Sequence, residues 1–338
     1  MVVAVSAVVI AAEPEVEGAG SSFTAFVMQT WAQKFEAQHK IAVHYQSVGS
    51  GEGIRRVSAN SVDFAMTDIP LTQTELVQGD LVQFPLVVGA IVPVVNLPDI
   101  GSGQLRLSGA VLADIFLGKV DKWNDPALRA LNPGLELPAL PISVIHRADG
   151  SGTSFVFTHY LSKVSAEWQE RLGVGSRLHW PSGKGVKGND AVSQSVRDTV
   201  GAVGYVEYTF ALQYGLTTIR LGNKGGKFVA PIEASIRAAL ASTTWSRPSY
   251  YEIVTDRAGE DSWPIVGVSF ALVRRSQSSL EDARETLSFM DWVYRDGAAA
   301  AAENHYVPLD DKNLIRRIET TWKEIKDGSG QAVWKNSQ

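Results

Sequence analysis

From residue 16 onward the chain switches repeatedly between a two-residue and a three-to-four-residue apolar rhythm. Residues 16–20 read as a short strand running into Ser21-Ser22, and beyond it Phe26, Val27, Trp31 and Phe35 recur at helical spacing. Ile41, Val43 and Tyr45 then alternate with Ala42, His44 and Gln46, the pattern of a half-buried strand, which ends in Gly49-Ser50-Gly51. A short helix over 54–60 leads to a strand over 62–66 that ends in Thr67-Asp68. Further on, the pattern predicts helices over 107–117, 155–162, 191–199, 280–294 and 314–326, with strands over 142–145 and 202–208. Strand–loop–helix units in this succession predict an α/β fold with largely parallel sheets.

Two stretches break the rhythm. Residues 84–96 (FPLVVGAIVPVVN) and 265–273 (IVGVSFALV) are long and apolar. Gly89 and Pro93 interrupt the first, which reads as a strand crossing between domains rather than as one uninterrupted strand. Two crossings place both ends of the chain in one domain and the middle in the other. The expected division is 13–91 plus 267–338 for one lobe and 92–266 for the second, consistent with about two domains in 338 residues.

Composition changes this picture little: 45% hydrophobic and 20% charged residues leave ample apolar mass for two cores. The net charge is 31 − 36 = −5, without a long Lys/Arg run, so no basic face announces nucleic-acid or anionic-membrane binding. The absence of cysteine excludes disulfides, Fe–S clusters, thiolate zinc sites, cysteine nucleophiles and a lipobox anchor. Residues 2–12 form an apolar run of 11, shorter than the ~20 residues of a spanning helix. Residues 1–12 therefore read as a partial export signal whose start is clipped or misassigned, since no Lys or Arg precedes Lys34. A buried first strand is the alternative.

Most catalytic motifs fail. There is no Walker loop, no HExxH among the six His residues and no GxSxG elbow. Gly183–Gly188 has the letters of GxGxxG, but His179-Trp180-Pro181-Ser182 precedes it instead of an apolar strand, so it reads as a flexible loop. No catalytic residue, metal site or cofactor is expected. Gly-Ser-Gly occurs at 49–51, 101–103, 150–152 and 328–330. The copies around Ser50 and Ser151 each lie between a strand and a helix, as does Ser21-Ser22-Phe23. A helix start carries unpaired N–H groups and about half a positive charge, glycine permits close backbone approach, and serine adds a hydroxyl donor. Simple N-capping accounts for one such start; three in an acidic chain point equally to an anion site built from neutral donors. Arg147 could grip an oxyanion with Asp149 holding its guanidinium, although a surface ion pair is an alternative. Asp68 would repel a bound anion unless the ligand brings a proton. Such an acceptor admits phosphate and rejects fully deprotonated sulfate.

Four separated motifs carry a family resemblance: Gly18–Phe23, Tyr45–Ser50, Val62–Asp68 and Arg147–Phe155. It continues through Lys187–Asp190, Gly204–Tyr208, Gly259–Pro264 and Ile325–Gly330. Together they resemble the periplasmic phosphate-binding proteins of high-affinity phosphate ABC transporters over nearly the whole chain after residue 16. The resemblance implies a two-lobed flytrap fold with inorganic phosphate between the lobes, held by Ser21, Ser22, Phe23 and Ser50. Asp68 would accept the phosphate proton, Arg147, Ser151, Gly152 and Thr153 would complete the cage, and Asp149 would pair with Arg147. It further implies a monomeric periplasmic receptor without a lipid anchor that hands phosphate to membrane permease subunits and binds no nucleic acid. Ser22 stands where Thr is common, Glu52 is an unusual carboxylate expected to face solvent, and His146 replaces a possible Arg. Rival readings are a receptor for another tetrahedral oxyanion, a phosphatase or serine hydrolase using Ser50 or Ser151 with His146, and a sensing or adhesion domain.

Overall fold

In the sequence order of the first elements, each strand hands directly to a helix. Glu15–Gly20 leads through a 3-10 turn, Ser22–Thr24, into the helix Ala25–His39. Ala42–Ser47 leads into the helix Ser50–Ser58, and Phe64–Thr67 follows. A computed structural model describes residues 14–335; the expected export segment at 1–12 lies outside them. The first strand pairs in parallel with both Ala42–Ser47 and Phe64–Thr67. In the second lobe Ser143–Arg147 likewise pairs in parallel with Ala202–Glu207 and Lys184–Val186.

The two lobes share one curled sheet, joined where the chain crosses. Leu81–Val95 is a single 15-residue strand, buried throughout. Its first part runs antiparallel to Ile265–Arg274 and its last part antiparallel to Ala202–Glu207. The expectation of an interrupted strand is thereby corrected, and the reason lies in how its two prolines are placed. Val87 opposes Ser269 and Pro85 opposes Phe270, so Leu86 is an extra residue in a bulge beside Pro85. Pro93 faces Tyr205 on one flank, while the strand's partner on the other, Thr217–Thr218, begins only opposite Val94 and Val95. The crossings also lean on each other through Trp263, whose buried indole N–H donates to the Ile91 carbonyl at 3.1 Å.

Glycine decides what rests on these crossings. Gly89 and Gly267 lie opposite each other in the antiparallel pair. A Cβ would come within 2.9 Å of the Phe23 ring at Gly89 and within 2.8 Å of it at Gly267. The bare backbone thus forms a shelf for Phe23, which Tyr306 closes edge-on at 5.8 Å. The Tyr306 hydroxyl donates to the Phe23 carbonyl, so the first loop is pinned at both ends of one residue.

The segment 183–188 is also corrected. Instead of a flexible loop it forms the edge strand Lys184–Val186, then turns at Gly188 (φ +82) into the helix Gly188–Asp198. Pro181 precedes this strand rather than lying in it, so proline excluded a nucleotide fingerprint without excluding a strand.

Adding one methyl group to the shelf, in Gly267→Ala, should force Phe23 from its seat and cost about 1–3 kcal/mol. Urea unfolding of the ligand-free protein measures this; an unchanged midpoint would show that the ring does not need the bare backbone.

Candidate anion-binding site

The two flanked Gly-Ser-Gly segments meet across the seam between the lobes. Gly51 N–H donates to the Gly150 carbonyl at 2.9 Å. A Cβ at Gly49 would lie 2.6 Å from Asp149 Oδ2, and one at Gly152 would lie 2.5 Å from both Asp68 Oδ2 and Ser50 Oγ. Only glycine allows this approach, and Gly49 also needs its φ of +96°. The starts of the helices Ser50–Ser58 and Gly152–Val164 therefore point at the same small volume, with Asp68 between them.

Ser21, Ser22, Phe23, Ser50, Asp68, Arg147, Ser151, Gly152 and Thr153 are all buried there. Ser21 Oγ donates to Asp68 Oδ2 at 2.6 Å and accepts the Phe23 N–H at 3.0 Å. Ser50 Oγ accepts the Asp68 N–H at 3.3 Å, and Ser151 Oγ caps its own helix by accepting from Ser154 N at 3.0 Å. Capping is thus real for Ser21 and Ser151. It does not consume the Ser151 hydroxyl hydrogen, because an acceptor bond uses a lone pair. By the same count Ser50 keeps a hydrogen to donate, whereas that of Ser21 is spent on Asp68.

Arg147 is gripped by Asp149 through Nε at 2.7 Å and Nη2 at 2.5 Å, which excludes the surface-pair alternative because the arginine side chain is only 1% exposed. Its third nitrogen, Nη1, is buried with no protein partner. A buried guanidinium with one free corner can donate to an anion. Burial works to raise the Asp149 carboxyl, but the Arg147 hydrogen bonds and charge hold it below the usual range.

Asp68 is the opposite case. Desolvation pushes its pKa up to about 6, despite hydrogen bonds from Ser21 and Ser269 and the Arg147 charge, which lower it. Ser269 Oγ donates to Oδ1 at 2.9 Å from the second crossing strand, a contact that sequence reading missed. Its strand position was legible, but its partner 201 residues away was not. Asn189 was missed too. It is fully buried at the start of the Gly188–Asp198 helix and reaches Ser22 and Thr153. The segment around it was visible only as part of the resemblance.

Around the site, Glu52 turns onto Arg55 and Arg56 at 2.6 and 2.9 Å, and these hydrogen bonds pull its pKa down to about 2. Its charge is thereby held by two arginines outside the buried cluster. His146 stacks on Trp180 at 4.8 Å and its Nδ1 lies 3.1 Å from the Arg147 carbonyl. Among the described residues no histidine hydrogen-bonds Ser50 or Ser151; the His146 ring lies against Trp180 instead.

Comparison with known proteins agrees with this architecture. The profile of the PBP superfamily domain matches residues 8–297. The chain is 45% identical to the phosphate-binding protein PstS of Pasteurella multocida over 95% of this chain and 93% of that protein. It is 44% identical to that of Haemophilus influenzae over 92% of this chain and 93% of the other. In fold it resembles a phosphate-bound putative phosphate ABC transporter substrate-binding protein from Clostridium perfringens. The TM-score is 0.65 at 17% identity, covering 87% of this chain and 99% of that one.

Burial of ionised Asp68 costs nothing below the unfolded pKa and its full amount above about pH 6, because the folded pKa is the higher. Asp68→Asn in the ligand-free protein should therefore gain on the order of 3 kcal/mol relative to wild type between pH 4 and pH 7. Denaturant titrations at the two pH values would reveal a flat difference if the carboxylate is not desolvated. The glycine-lined seam, the overall match to the superfamily and the close curated relatives lead to one identification: the chain belongs to the PBP superfamily and, within it, to the family of the PstS phosphate-binding proteins.

Proposed function

We propose that this protein is a non-enzymatic receptor that closes around inorganic phosphate and delivers it to the permease subunits of an ABC transporter in the periplasm. The observation that carries the reading is Asp68, a buried carboxylate that accepts from Ser21 and Ser269, feels the charge of Arg147, whose Nη1 is buried without a protein partner, and lies beside the helix starts at Ser50 and Gly152. The relatives named phosphate-binding protein PstS, and the solved receptor with bound phosphate, support the same ligand. The cage consists of Ser21, Ser22, Phe23, Ser50 and Asp68 from one lobe with Arg147, Ser151, Gly152 and Thr153 from the other, and Asp149 holds Arg147. Micromolar binding requires about 8 kcal/mol, a sum that several charge-assisted and neutral hydrogen bonds in a buried seam can supply.

The proposed lobes are 13–91 plus 267–338 and 92–266, with hinge motion in the crossings near Gly89–Pro93 and Pro264–Gly267. The protein acts as a monomer and binds no nucleic acid; its −5 charge supports the latter.

Phosphate near neutral pH carries a hydrogen for Asp68 to accept, and sulfate carries none. Calorimetry at pH 8 should show phosphate binding with little response to sulfate. As pH falls through about 6, Asp68 takes up a proton and can donate, so sulfate should gain affinity. In Asp68→Asn that gain should be absent and the phosphate preference reduced. Equal binding of both anions by the wild type at pH 8 would remove Asp68 from its role. Phosphomonoester turnover would instead favour a phosphatase.

A further inference from the structure

Asn189 lies in the stretch assigned to the second lobe, yet it makes two hydrogen bonds to Ser22 of the first. Its backbone N–H donates to Ser22 Oγ at 3.3 Å and its Nδ2 donates to the same oxygen at 3.1 Å. Nδ2 also lies 3.5 Å from Thr153 Oγ1, and Asn189 Oδ1 is buried with no partner. A serine hydroxyl has two lone pairs and one hydrogen. Two donors from Asn189 fill both lone pairs of Ser22 Oγ, so the hydroxyl can act only as a donor. Thr153, approached by the same amide, is biased in the same way.

Resting on the phosphate reading above, we infer that Asn189 is a latch between the lobes that sets the Ser22 and Thr153 hydroxyls as donors toward the anion. These bonds span the seam, so they exist only when the lobes are together, and opening must break them. Asn189 thus links closure to the polarity of the cage. An unoriented hydroxyl could point its lone pairs at the anion; a hydroxyl held from behind by two N–H groups cannot. Asn189 is a positioning residue here, acting on the anion through Ser22.

The test is a double-mutant cycle on phosphate dissociation, read by stopped flow, with Ser22→Ala, Asn189→Ala and the pair. Each single variant should raise the dissociation rate about tenfold, and the pair should be little faster than either alone. Independent, multiplying effects would overturn the inference. Asn189→Asp, which keeps the side-chain volume, separates orientation from packing. Its carboxylate would draw the Ser22 hydrogen away from the ligand, so it should weaken binding more than Asn189→Ala does. A smaller loss in Asn189→Asp would mean that Asn189 only fills space and would likewise overturn the assignment. Failure of the wild type to bind phosphate would instead refute the functional reading, before any variant is compared.

Discussion

Backbone meets backbone at the seam between the lobes, and nearly every other feature of the site depends on that contact. Gly49–Gly51 and Gly150–Gly152 lie so close that a single methyl group on Gly49 or Gly152 would collide with Asp149, Asp68 or Ser50. This approach brings two helix starts together beside Asp68 and buries the polar groups around them. It also creates the low-dielectric surroundings that raise the Asp68 pKa. The raised pKa of this one carboxylate is therefore a consequence of steric permissiveness in two tripeptides.

The crossings bind this seam to the rest of the molecule. Phe23 contributes its amide to the first loop while its ring sits on Gly89 and Gly267, the paired glycines of the crossing strands. Tyr306 holds the Phe23 carbonyl from the C-terminal part of the chain. Ser269, two residues beyond Gly267 on the same strand, reaches Asp68. A shift in how the strands cross would thus be felt at the first loop and at Asp68 through packed side chains and hydrogen bonds. The same arrangement explains why a region rich in glycine and proline remains one continuous strand. The bulge beside Pro85 and the one-sided pairing at Pro93 remove the conflicts that proline would cause in a central strand.

The local electrostatics do not follow the overall charge. The protein is acidic, yet the buried cluster is dominated by N–H and O–H donors, with a single arginine whose charge Asp149 largely balances. Full charges in a dry site are costly unless paired, whereas helix starts and hydroxyls supply partial positive charge at less cost. The site is therefore polar without being strongly positive. The arginines beside Glu52 keep an additional carboxylate from altering that balance.

The sequence by itself determined the strands and helices with a clear apolar period, the three serine-bearing helix starts, the two crossings and the two-residue spacing that lets Arg147 meet Asp149. All of these are local patterns, in which period, turn chemistry or a two-residue spacing fixes the outcome. Only the tertiary structure decided that the Gly-Ser-Gly copies at 49–51 and 150–152 face each other while those at 101–103 and 328–330 do not. It likewise decided that Ser269 and Asn189 join the cluster and that 183–188 is an edge strand and a helix start. The partners of Ser269 and Asn189 lie 201 and 167 residues away, and no local rhythm encodes a contact at that separation. Such pairs are set by how two lobes, each folded from its own local pattern, come to rest against one another.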